Sequence, residues 1–142
     1  MAMEAVSSLT CMNAIAYTSN SLPFQVQSCS NTAKFTIQRL GGTPVPVFDD
    51  TEATFPELKA RIDRTIEVLK TADPASMDGL ESKELLMETK MGTFRFETGQ
   101  RYVSEYAMAN FHFHLSTAYC ILRHRGVPLG AFDYMKDVFE KV

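Results

Sequence analysis

Apolar residues return along this chain at intervals of three and four, the period of a helix that turns one face inward. Val26, Cys29, Ala33, Ile37 and Leu40 mark one such stripe. Pro23 stands near its start, where a missing N–H costs nothing, and Gly41-Gly42 closes it. The next stretch, Thr43 to Asp50, contains Pro44 and Pro46 and is predicted to be an irregular linker. A second stripe, Phe55, Leu58, Ile62, Ile66 and Leu69, follows the clearest start signal in the chain. In Thr54-Phe55-Pro56-Glu57 the threonine hydroxyl and the glutamate carboxylate can each satisfy an orphan amide, a capping box. Asp73-Pro74 ends that helix.

The period then changes. Glu84 to Thr89 and Thr93 to Glu97 suit a small hairpin turning around Lys90-Met91-Gly92, with Phe94 and Phe96 on one face. A long helix is predicted from Gly99 to Arg125, capped near Thr98, closed by Gly126 and crowded with Tyr102, Tyr106, Phe111, Phe113 and Tyr119. Beyond Pro128 a short amphipathic helix gathers Phe132, Met135, Val138 and Phe139. At the other end Val6, Leu9, Met12 and Ile15 have helical spacing, but Met1 to Asn20 is rich in Ser, Thr and Asn. The predicted fold is mainly α, a helix bundle with a small β-hairpin inserted before the last long helix.

Composition narrows the function. A chain of 142 residues, 45% hydrophobic and 22% charged, is one globular domain that needs no disulfide or metal to fold. A net charge of −3 argues against a nucleic-acid partner, which requires phosphate neutralisation. The short basic cluster Arg123-His124-Arg125 reads as a helix end. The three cysteines, Cys11, Cys29 and Cys120, are far apart and odd in number, so reduced thiols acting as small core residues fit best. No apolar run spans a membrane, and the first twenty residues lack Lys and Arg, so neither a membrane location nor a leader peptide is expected. The expected compartment is cytoplasmic.

Chemistry concentrates on the long helix, which carries all three histidines, at positions 112, 114 and 124. Asn110 and His114 are four apart and share a face, with Tyr106, Thr117 and Ile121 near it. A titratable group on an apolar stripe suits a buried pocket, although a core histidine bonded to a neighbouring helix explains it equally simply. His112 and His114 diverge by about 160° on the helix, and His124 lies about 15 Å along it, so no two of them grip one metal. Gln25 and Gln27 are candidates to complete a site from another helix, or else solvated or helix-bridging amides. Asp49-Asp50 and Glu81 with Glu84 read as solvated. No phosphate-binding glycine loop and no GxSxG elbow occurs.

Several strings have a family likeness. Phe24-Gln25-Val26-Gln27, Asn31-Thr32-Ala33-Lys34, Asp50-Thr51-Glu52-Ala53-Thr54-Phe55 and Arg61-Ile62-Asp63-Arg64-Thr65-Ile66 resemble the family called domain of unknown function 1993. The most specific match is Asn110-Phe111-His112-Phe113-His114 with Ala118 through Gly130. The likeness covers about residues 22 to 134, which sets 1–21 apart as an atypical N-terminal segment before a domain at 22–142. It implies a DinB-like up-down bundle, often a homodimer; members usually begin with a long first helix, and this chain departs from them with a short or atypical one. Some members of that superfamily hold a divalent metal through three histidines, a triad absent here. The resulting expectation is a small-molecule-binding protein, auxiliary or metal-assisted, with its pocket at Tyr106, Asn110, His114 and Gln25. The alternative is a non-catalytic module that self-associates through its helices.

Overall fold

The computed structural model describes residues 21–139; the helical spacing noted before Asn20, and Cys11, lie outside the described residues. Helix α1 spans Leu22–Gly41. Ser21 caps it by accepting the Phe24 amide, and Gly42 ends it at φ 66°, a left-handed conformation that glycine adopts without strain. Helix α2 spans Phe55–Lys70, and its capping box is present: Thr54 accepts from the Glu57 amide, and Glu57 accepts from the Thr54 amide at 2.8 Å. Thr54→Ala should therefore cost about 1 kcal/mol in urea denaturation, as loss of an N-cap acceptor does. Ile66→Ala on the same helix should cost less than a core truncation, because Ile66 is 44% exposed.

Strands β1, Leu85–Thr89, and β2, Gly92–Phe96, pair antiparallel with Leu85 opposite Phe96 and Met87 opposite Phe94. The turn is two residues long, and Thr89 Oγ1 braces it by accepting the Met91 amide. Helix α3 then runs without a break through Gly99–Arg101, Tyr102–Ala107 and Met108–His124. Thr98 caps it, as the sequence suggests. The middle segment is π-helical, a one-residue widening of the turn that no residue pattern signals. A short helix α4, Ala131–Met135, follows.

The apolar core is small. Leu85, Met87, Tyr102 and Ala107 are buried, with Leu40, Phe96, Val103 and Tyr106 packed on them, so the hairpin lies against the first half of α3. Helix α1 packs chiefly on α3 and then on α2. Its interior face corrects the expected apolar stripe. The buried residues are Gln25, Gln27, Ser30, Thr32 and Lys34 with Ile37, while Val26, Cys29, Ala33 and Leu40 are half-buried. On α2 the buried residues are Leu58, Arg61 and Thr65, whereas Phe55 and Ile62 are 70% and 43% exposed. The physical reason is that polar partners on neighbouring elements satisfy these buried groups, so the helices turn their polar sides inward. Phe132, Val138 and Phe139 of the chain's end are exposed, so the apolar face expected there is not buried.

Candidate functional site

Two polar stripes of α1 organise the interior. The first, Gln25, Cys29, Thr32 and Thr36, recurs at helical spacing along α3. Gln25 Oε1 lies 2.8 Å from His114 Nδ1, and Asn110 Nδ2 donates to Thr32 Oγ1 at 2.7 Å. Cys29 Sγ donates to the Phe111 carbonyl at 3.5 Å. Farther along, the Tyr102 hydroxyl accepts from Arg39 Nη1 at 2.9 Å and sits 3.4 Å from Thr36 Oγ1.

An amide oxygen can only accept, so His114 donates from Nδ1 and leaves Nε2 as the lone-pair nitrogen. Burial holds the His114 pKa below the ordinary imidazole range, which keeps the ring neutral near pH 7. The rings of Phe24 and Phe113 meet it edge-on at 5.7 and 5.1 Å. His112 faces elsewhere: it is exposed and its Nδ1 lies 3.3 Å from the Tyr134 hydroxyl on α4. The inward direction expected for His114, and a different one for His112, are both observed.

Of the four residues read from sequence, Gln25 and His114 touch, and Asn110 bonds α1 one turn away. Tyr106 contacts other groups: its ring packs on Phe96 at 5.7 Å and on Tyr102 at 5.6 Å, in the hairpin core. It lies inside the π segment, where the wider turn shifts the phase assumed for an ideal helix. Cys29 is half-buried and its thiol is pushed up to about 11 by burial, so it is no thiolate nucleophile; Cys120 is exposed rather than a core residue.

The second stripe, Gln27, Ser30, Asn31 and Lys34, meets α2 and the linker in a network that periodicity missed. Arg61 is wholly buried and bonded on every nitrogen: Nε to Ser30 Oγ at 2.7 Å, Nη1 to both Glu52 oxygens at 3.0 Å, and Nη2 to Asn31 Oδ1 at 3.0 Å and Asp50 Oδ1 at 2.9 Å. Gln27 Nε2 donates to Glu52 at 3.0 Å, so it is a helix-bridging amide and not a solvated one. Burial alone would raise the Glu52 pKa, but the hydrogen bonds from Gln27, its own backbone and Arg61 together lower it. Lys34, also wholly buried, donates to the Pro46 carbonyl at 2.7 Å and stands 3.9 Å over the Phe48 ring. Asp50, read as solvated, is half engaged in this network. The signal was present in the strings that carry the family likeness, which contain Gln27, Asn31, Lys34, Glu52 and Arg61.

A family model for a domain of unknown function, DUF1993, matches residues 7–135. The chain belongs to the DUF1993 family. The match begins inside the segment set apart above as atypical. The crystal structure of a DinB family member protein from Shewanella denitrificans is similar to this DUF1993 chain at 30% sequence identity. The TM-score is 0.73, over 93% of this chain and 78% of that one. No curated protein matches. The mainly helical DinB-like fold with a hairpin is thus established for this DUF1993 member. The residues present do not fit a three-histidine metal centre. Among the described residues no group of three or more His, Cys, Asp or Glu converges, and His112 and His124 are exposed away from His114. No described helix is long and apolar enough to cross a membrane.

Proposed function

We propose that this chain binds a small molecule at His114, with Nε2 as the recognising atom. The observation that carries the reading is the Gln25–His114 bond, which fixes tautomer and ring direction from a second helix. A neutral lone-pair nitrogen flanked by two aromatic rings accepts a hydrogen bond or a proton from a ligand N–H or O–H. Asn110, one turn away, is a positioning residue that keeps α1 on α3.

Nitrogen NMR of the His114 ring tests this. The expected spectrum has the proton on Nδ1 and a ring signal perturbed by small aromatic N–H or O–H donors. An Nε2–H tautomer, or a His114 signal that responds to none of them, would overturn the reading. The pH dependence has a definite sign. The folded pKa is depressed, so between it and about 6.5 the unfolded chain binds more protons. Stability should therefore be full above about 6.5 and fall as pH drops through that window, and His114→Phe should flatten the slope.

A second reading, self-association, rests on α2. Phe55, Ile62 and Ile66 leave an apolar face exposed there, the kind of surface that marks interfaces. Sedimentation of Ile62→Glu with Ile66→Glu decides it, since a helix-mediated dimer would dissociate and a monomer would be unchanged.

A further inference from the structure

At the other end of α1, about 22 Å along the helix from Gln25, lie two adjoining cavities of about 200 and 250 Å³ that share Leu40, Leu80 and Gly99. They form two lobes of one cleft between α1, the segment before β1 and the start of α3. The smaller lobe is lined by Arg39 and Lys83, with Glu84 beside them. Glu84 is already paired with Arg95 across the hairpin. Arg39 makes no ion pair among the described residues; its guanidinium donates only to the Tyr102 hydroxyl and lies over the Phe35 and Tyr102 rings. The Lys83 ammonium likewise has no carboxylate partner among the described residues. The larger lobe is lined by Leu40, Met77, Leu80 and Val103 together with Glu81 and Gln100.

We infer that this cleft binds a short-chain aliphatic carboxylate, the headgroup on Arg39 and Lys83 and the tail among Leu40, Leu80 and Val103. Charge sets the headgroup. A half-buried guanidinium without a carboxylate offers charge-assisted hydrogen bonds of the geometry a carboxylate takes up. Size sets the tail, because the lobe that takes it, about 250 Å³, has room for only a short chain. The cleft's width is fixed by packing: a Cβ on Gly99 would come within 2.4 Å of the Leu80 carbonyl oxygen, so the two segments already touch there.

The test is NMR titration of the full chain with hexanoate, with hexylammonium as the matched cation. Hexanoate should produce saturable shifts at the Leu40, Leu80 and Gly99 amides, with none at His114, and hexylammonium should produce none. Arg39→Met should weaken binding about tenfold. Should loss of the Tyr102 contact unfold that variant, Lys83→Glu decides, since Lys83 is exposed and its side chain bonds nothing among the described residues; it should weaken binding about fivefold. Equal response to both probes, no saturation by about 10 mM, shifts centred on His114, or full affinity in Lys83→Glu would each overturn the inference. Because the readout lies at the far end of α1, its failure leaves the His114 reading standing, and the reverse also holds.

Discussion

Arg61→Ala should destabilise the fold by about 3–5 kcal/mol, measured by urea denaturation at neutral pH, because removing one partner strands a buried charge. Glu52 is the charge stranded: its side chain is 6% exposed, and it keeps only Gln27, its own backbone amide and a 3.5 Å approach from Arg64 among the described residues. Ser30 and Asn31 lose their donors as well. Arg61→Lys should recover little, since an ammonium cannot replace a guanidinium fork that serves six acceptors. The double change Arg61→Met with Glu52→Gln should cost less than the sum of the singles, because the second removes the charge that the first exposes. Acid gives an independent check. The folded pKa of Glu52 is depressed, so its contribution is present above about 4.3 and lost as pH falls through the folded value. That acid limb should be shallower in Arg61→Ala.

Tyr102→Ala should rank beside it, at about 3–5 kcal/mol, the usual cost of emptying an aromatic core position. Tyr102 is wholly buried, meets Phe96 edge-on at 5.2 Å and lies 5.6 Å from Tyr106. Tyr102→Phe separates the ring from the hydroxyl. It keeps the aromatic contacts and removes one acceptor from half-buried Arg39, so the expected cost is about 1 kcal/mol. Thermal unfolding of the pair reads the difference directly. A phenylalanine variant as unstable as the alanine one would mean that the hydroxyl, not the ring, anchors α1 to α3 here.

Much of the fold was legible because it rests on local chemistry. The capping box, the Gly41-Gly42 stop, the hairpin turn and Thr98 each follow from side chains within four residues of the backbone they serve. His114 was legible too, since a 3.6-residue period alone separates it from His112. The interior of α1 was not. Hydrophobic periodicity assigns apolar residues to the inside, and the prior against buried lysine and arginine is strong. Lys34 and Arg61 defeat it through partners 9 to 31 positions away. The π segment was hidden because a one-residue change in hydrogen-bond register leaves no mark in composition. It moved Tyr106 from the expected pocket into the hairpin core.

The segment from Thr43 to Thr54 draws its order from those two buried cations. Among the described residues no backbone amide between Thr43 and Glu52 donates to another backbone group. Holding a residue in one conformation costs roughly 1–2 kcal/mol of chain entropy, which a helix offsets with its own ladder. Here the offset comes from Lys34 on the Pro46 carbonyl and Arg61 on the Asp49 carbonyl, Asp50 and Glu52. Order so supported is lost as a unit. The segment is a candidate for a sub-global opening, in which its amides exchange with solvent while the helix ladders stay closed. Protonating Glu52 weakens its bonds to Gln27 and Arg61 and so lowers the free energy of that opening.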